Sequence, residues 1–297
     1  MKIHLGAFGF VVRAIEANDV IIAIFNPDST KESPCLHLVL RRHIKNDAAD
    51  FAKKLSTNEF KLVVVAIELI AVDQNHLSET TRQILHRNQQ SYLVAETLGK
   101  AFLAEGNEVM LGTRDTGKET IKKWELANPG GKTASFAESS AFGELLVLAT
   151  AGHGAAQALQ ACGLKNLEGK TIIDVTNPIA PAPPEKGVLK YTTNLDKSLM
   201  EGLQELVPGA NFVKAFNSVG NTLMYKPEFK EGKPSMFICG NNEQAKKKVK
   251  DILDQFGWET EDMGGVEAAR AIEPLCMLWC IPGFLRNQWS HAFKLLK

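Results

Sequence analysis

Three residues near the middle of the chain carry side chains suited to a single task. In EVMLGTRDTGK, the residues Thr113, Arg114 and Lys118 bring a hydroxyl, a guanidinium and an ammonium to the end of an apolar run. That set complements a phosphate monoester: the planar guanidinium can pair two oxygens at once, and the ammonium adds a point charge. Polar residues also follow three later apolar runs: His153 in TAGHG, Asn177 with Pro178 in DVTNP, and Asn217 with Ser218 in KAFNSVG. Such positions suit a small-ligand crevice. They equally suit helix N-caps, and His153 reads equally as a loop histidine without a chemical role. The sequence has no Ser-His-Asp order, no metal-ligand cluster and no paired carboxylates that would force a hydrolase reading.

The elements that must position these residues change style along the chain. Up to about residue 90, KIHLGAFGFVVRAI, DVIIAIFNP and CLHLVLRRHI read as closely spaced strands of an antiparallel meander. DAADFAKKLST reads as a helix, and FKLVVVAIELIAV as a buried strand. One long helix is expected from about Ser78 to Glu105, ended by Gly106. Beyond it, EVMLGT, LLVLATAG, KTIIDVTNP, NFVKAFNSV, SMFICG and WETEDMG alternate as strands with helical stretches. The expected fold class is therefore α/β, a Rossmann-like parallel sheet with helices on both faces, plus an N-terminal α+β segment. The expected domains are residues 1–90, of unknown role, and residues 91–297, the nucleotide-binding part with a C-terminal helical region.

The 34 basic residues balance the 34 acidic ones. This argues against general affinity for nucleic acid or for an anionic membrane, and no apolar run is expected to span a bilayer. Five scattered cysteines, among them Cys276 and Cys280 four apart in PLCMLWCIPG, read as core residues of a thiol-reduced, cytoplasmic protein; a redox pair is the alternative.

At the end of the second strand of a dinucleotide fold, Thr113 and Arg114 favour the 2′-phosphate of NADP, with Lys118 one turn on. The phosphate loop that should precede them is missing. The three glycine places of the fingerprint fall on Gln90, Tyr92 and Ala95, and Gly6 and Gly9 in LGAFGFVV lack the required spacing. FKLVVVAIELIAV is the candidate replacement for the first strand, with the helix N-terminus then carried several turns from the usual pyrophosphate position.

The stretches AETLGKAFLAEGNEVMLGTRD, KTIIDVTNP, NFVKAFNSVG and FICGNNEQAKKKVKDILDQFGWETEDMGGVEAARAIEPLCMLW resemble the NADPH-dependent deazaflavin reductase family, the coenzyme F-420-dependent NADP oxidoreductases, over residues 94–285. The resemblance implies NADP(H) as cofactor and hydride transfer to a deazaflavin, flavin or similar small acceptor. It implies that Thr113, Arg114 and Lys118 hold the 2′-phosphate and that Thr150 and Ala151 lie along the cofactor. Asn177, Pro178 and Asn217 would border nicotinamide and substrate. The expected partners are a small-molecule substrate and a second copy of the chain. The other reading, motivated by the missing loop, is a non-catalytic Rossmann-like interaction or regulatory module.

Overall fold

KLVVV, three consecutive β-branched valines behind a Lys-Leu pair, forms a strand at the centre of the main sheet (β6, Lys61–Val65). The computed structural model describes the backbone of six short strands between residues 2 and 65 and of every residue from 79 to 297, with side chains from residue 91 onward. Two compact units divide the chain, Met1–Asn58 and Glu59–Lys297. Residue 90, the expected boundary, lies inside a helix of the second unit.

The first unit pairs β1 (Lys2–His4), β2 (Val11–Arg13) and β4 (Ala23–Phe25) antiparallel, and separately β3 (Val20–Ile21) with β5 (Val39–Leu40). The antiparallel pairing is as the sequence suggests, but KIHLGAFGFVVRAI and DVIIAIFNP, read as one strand each, each hold two short strands. The expected helix DAADFAKKLST lies outside the described residues, as does the part of FKLVVVAIELIAV beyond Val65.

In the second unit, β6 is followed by α1 (Glu79–Ala104), β7 (Glu108–Thr113), α2 (Glu119–Ala127), β8 (Gly131–Ser135), α3 (Phe136–Phe142) and β9 (Leu145–Leu148). Then come α4 (Ala155–Cys162), β10 (Thr171–Asp174), α5 (Leu199–Leu206) and β11 (Asn211–Lys214). The six strands form one parallel sheet in the order β11-β10-β9-β6-β7-β8. Counted from β6, this is the 3-2-1-4-5-6 order of the doubly wound dinucleotide fold. β6 takes the first-strand place in register, with Val63 opposite Met110 on one side and Leu146 on the other.

Every residue of β9 and β10 is buried, as continuous apolar runs covered on both faces require. Alternate residues go to opposite cores. Leu145 and Val147 pack with Leu98 of α1, Trp124 of α2 and Val249, while Leu146 and Leu148 pack with Phe136, Leu159 of α4 and Leu203 of α5. Val249 belongs to α6 (Glu243–Gln255), which lies between β12 (Ser235–Ile238) and β13 (Glu259–Asp262), a separate parallel pair. α1 spans the length expected, and Gly106, at φ 84°, ends it in the left-handed conformation.

β8 and α3 have no counterpart in the sequence reading. GKTAS has little apolar content because β8 is a half-covered edge strand, and the Ser135–Glu138 capping box then starts α3 directly. The last helix, α7 (Ala269–Arg286), carries Pro274 and Pro282 within it. The span Val266–Arg286 is long and apolar enough by length and composition to cross a membrane, contrary to the expectation that no run is. It includes Glu273, which is buried in an ion pair.

A proline in a central strand removes a ladder hydrogen bond and costs about 3 kcal/mol or more. Val63→Pro is therefore expected to lower the urea midpoint of the second unit sharply. An unchanged midpoint would mean that β6 is dispensable to the sheet.

Candidate functional site

The most buried charge in the described structure lies at the carboxyl ends of β10 and β11. Lys214 is 0% exposed. Its Nζ lies 2.7 Å from Asp174 Oδ2, 3.0 Å from Glu273 Oε1 of α7, and donates to the Thr176 carbonyl at 2.9 Å. Burial alone would push its pKa down. The two carboxylates outweigh that and hold it above the usual lysine value, so it stays an ammonium. Glu273 also accepts from the backbone N–H groups of Leu199 and Met200 at the start of α5, both at 3.0 Å. Asp174 Oδ1 accepts from the N–H and hydroxyl of Thr176. One cation thus ties together two strand ends and two helices.

The chain leaving these strands forms the wall of a cavity of about 620 Å³. Asn177 Nδ2 donates to the Asn217 carbonyl at 2.7 Å. Asn217 Nδ2 donates to Asn177 Oδ1 at 3.1 Å and to the Ile272 carbonyl at 3.0 Å. Both donor bonds of Asn217 are used, yet its Oδ1 has no partner although the residue is only 4% exposed. The same holds for the hydroxyl of Thr150, also 4% exposed, just past β9. Both residues line the cavity. A buried polar atom without a partner costs roughly 1–3 kcal/mol, so these two on one cavity wall are places where a bound molecule, water or ligand, would regain that energy.

Backbone geometry tightens this wall. Phe216 has φ 58°, in the left-handed region that bulky residues rarely adopt, and its N–H points at Met236 Sδ, 3.1 Å away. This strained residue aims Asn217 back at Asn177. A Cβ at Gly152 would fall 2.1 Å from the Asn177 carbonyl oxygen, so only glycine lets the turn after β9 approach so closely. The far wall is aromatic. Trp279 of α7 stacks on His291 at 5.0 Å and contacts Trp289 at 5.6 Å, and Phe284 meets Trp289 edge-on at 5.3 Å. The backbone reverses at Asn287, φ 53°, to bring Trp289 over the helix.

Of the residues singled out from sequence, the structure brings Thr150, Ala151, Asn177, Asn217 and His153 to this cavity. Pro178 is buried behind it, its carbonyl accepting from Thr192. The N-cap alternative for Asn177 and Asn217 is not realised, since the two amides bond each other and backbone carbonyls. Thr113 is buried at the end of β7, and its hydroxyl accepts from Asp115 N–H in a turn closed by Gly117 N–H on Asp115 Oδ1. Arg114 is exposed there, and Lys118 precedes α2. These three do not line the cavity; β6 separates their strand end from that of β9. Sequence reasoning missed Asp174, Lys214 and Glu273, whose signal was a single charge closing an apolar run in TIID, NFVK and AIE. It also missed the aromatic wall.

No glycine occurs between Gly9 and Gly99, so no glycine turn can follow β6. α1 passes the cavity with its flank, through Ser91 and Val94. Its N-terminus at Glu79 is twelve residues earlier, roughly 18 Å along the axis. The residues present therefore fit the polar amide of a nicotinamide, while the usual dipole-end cradle for a pyrophosphate is displaced.

Residues 90–178 match the family described as NADP oxidoreductase, coenzyme F420-dependent. The chain is 25% identical over 185 residues to the F420-dependent NADP reductase of Methanocaldococcus jannaschii, covering 59% of this chain and 82% of that protein. It is 33% identical over 129 residues to the metalloreductase STEAP3 of Rattus norvegicus, of which it spans 24%. Among solved structures, a protein inferred to be an F420-dependent NADP-reductase from Arthrobacter sp. FB24 is 27% identical with a TM-score of 0.68, covering 80% of this chain and all of that one.

α7, which carries the aromatic wall, is also held by Arg270, whose Nε donates to Glu201 of α5 at 2.9 and 3.1 Å. The Arg270 guanidinium is the main cause of a Glu201 pKa depressed from 4.5 to about 2, with Ser198 adding hydrogen bonds. A depressed carboxylate stabilises the fold above its unfolded pKa and loses that contribution as pH falls toward the folded value. Stability is expected to drop between about pH 4.5 and 2, and Glu201→Gln to flatten that part of a denaturation–pH profile. An unchanged profile would show that the pair contributes nothing.

Proposed function

We propose, from its likeness to the coenzyme F420-dependent NADP oxidoreductase family, that the chain passes a hydride between NADP(H) and a small acceptor, a deazaflavin, flavin or similar molecule, in the cytoplasm. The observation that carries this reading is the pair of buried, unpartnered oxygens on Thr150 and Asn217, one at each end of the cavity wall formed by β9 and β11. The Asn217 Oδ1 accepts from the N–H of a carboxamide, and the Thr150 hydroxyl bonds the same group or its neighbour. Asn177 holds Asn217 in the accepting orientation. Ala151 and Gly152 leave room for a ring to lie against the backbone, and Trp279 and Trp289 exclude water from the facing side.

NADP(H), when bound, supplies the hydride; the chain supplies position. Direct transfer depends on holding two rings face to face in a dry site. Thr113, Arg114 and Lys118 take the 2′-phosphate at the end of β7, with Pro178 acting from behind the cavity as a rigid support. The second reading, a Rossmann-like module without catalysis, is favoured by one observation, the glycine-free passage from β6 into a helix that starts far from the cavity.

An NADPH titration followed by tryptophan fluorescence separates the two. Saturation at micromolar NADPH with weaker NADH supports the reductase, whereas no saturation by millimolar supports the module. Arg114→Ala is expected to weaken NADPH about tenfold or more while leaving NADH unchanged, since one charge-assisted bond contributes about 1.5–3 kcal/mol. Equal loss for both nucleotides would remove Arg114 from the 2′-phosphate site. Thr150→Val is expected to weaken both nucleotides alike.

A further inference from the structure

A helix on the surface of a folded chain normally turns an apolar stripe inward and a polar one outward. α7 does not. Between Arg270 and Arg286 its one charged residue is Glu273, and that residue is buried against Lys214. Ile272, Trp279 and Gly283 mark its inner, buried side. The opposite side carries Ala271, Leu275, Leu278, Ile281, Pro282 and Leu285, three and four residues apart, which sets them in one row along the helix. Ala271, Leu278 and Leu285 are exposed, the last two by 54% each, and the other three are half-buried. The row widens at its C-terminal end. Gly187 packs against Leu285, which brings the exposed Val188 alongside, and the exposed rings of Phe284 and Trp289 meet edge-on there. Both rings also line the cavity, so its aromatic wall reaches the same surface.

We propose that this row is the docking face for a second copy of the chain, with the two α7 helices packed antiparallel about a two-fold axis between Leu275 and Leu278. A two-fold contact is self-complementary: what residue i meets, its equivalent meets in return. In this register Leu275 meets Leu278 of the partner subunit, and Ala271 meets Pro282 of the partner subunit. Glu267, one turn before Ala271, meets Arg286 of the partner subunit. Docking also covers Phe284 and Trp289, which closes the cavity where its wall reaches the surface.

Two observations favour a second copy over other occupants. The first is the charge pattern. An exposed acid, Glu267, precedes the row and an exposed base, Arg286, follows it, while Arg270 is held by Glu201. An antiparallel copy sets each end against its opposite, whereas a parallel one sets like beside like. The second concerns lipid. A helix lying on a bilayer carries Lys and Arg along a polar face, and α7 has neither between Arg270 and Arg286. Nor can it leave the sheet to cross a bilayer without breaking the buried pair of Glu273 with Lys214. The inference uses the outer face of α7 and not the nucleotide, so it stands or falls separately from the hydride reading.

Sedimentation of the full chain over a concentration series tests it. The expected result is a dimer at micromolar concentration. Leu278 is exposed in the single chain, so Leu278→Lys is expected to keep the circular dichroism unchanged and to weaken the dimer about tenfold or more. Charge exchange reads the register without touching the apolar row. Glu267→Arg and Arg286→Glu are each expected to weaken the dimer, and the two together to restore it, which a merely structural role for either residue would not produce. A monomer at every concentration, a dimer indifferent to Leu278→Lys, or no recovery in the double variant would overturn the proposal. So would a monomer that floats with phosphatidylglycerol vesicles, which would assign the row to a lipid surface.

Discussion

The buried ammonium of Lys214 is the constraint on which the ligand end of the fold depends. Taking a lysine fully out of water costs several kcal/mol even after relaxation, and the loss is offset only where geometry supplies partners on every side. Here the partners come from three places: Asp174 from the neighbouring strand, the Thr176 carbonyl from the loop after it, and Glu273 from a helix distant in sequence. Such a cluster is weak evidence for stability, since a well-packed apolar set could do as well. Its consequence is positional. A helix as apolar as α7 could slide or rotate over the sheet at little cost. With Glu273 bound to both Lys214 and the start of α5, it has one register, and that register fixes where Trp279, Cys276 and Cys280 stand.

The cavity is built outward from this anchor. Thr176 and Asn177 follow Asp174, and Phe216 and Asn217 follow Lys214, so the pair of asparagines sits within three residues of the ion cluster on each strand. The left-handed Phe216 and the close approach at Gly152 are strained or sterically exacting features. They persist because the cluster beneath over-determines the backbone. The unpartnered oxygens of Thr150 and Asn217 belong to the same pattern: stability is given up at one wall, and the two oxygens face the cavity.

Much of this was legible in the sequence, for physical reasons that differ by element. Buried parallel strands leave continuous apolar runs, so LLVL, TIID and NFVK could be found, and the polar residues Asn177 and Asn217 past the ends of the last two could be read as candidates for the ligand edge. The long α1 was readable from its helical spacing and from Gly106. The edge strand β8 was not, because half-covered strands need few apolar residues. Asp174 and Lys214 were hidden for the opposite reason. A single charge at the end of an apolar run usually marks exposure, and only the crossing of Glu273 from α7 shows that these are buried. The aromatic wall was hidden by the two prolines in α7 and by the reversal at Asn287, which break any simple period.

The two ends of the site also differ in how demanding they are of sequence. A central parallel strand asks for about five residues that are extended and apolar on both faces, and very many sequences meet that request. KLVVV meets it, and the sheet closes in full register around it. A phosphate-binding turn asks for glycines at fixed spacing, because the backbone must bend tightly and come close to the ligand. The segment from β6 to Gly99 contains none. Fold and phosphate cradle are therefore separable properties of one strand–turn–helix unit. This chain keeps the first through generic hydrophobicity, while the second rests on specific residues that it does not have. The cavity is built mainly from the ends of β9, β10 and β11, from α7 and from the Lys214 cluster, with the strand–turn–helix unit contributing only the pairing of β6 with β9 and the flank of α1 at Ser91 and Val94, so its form does not need a glycine turn.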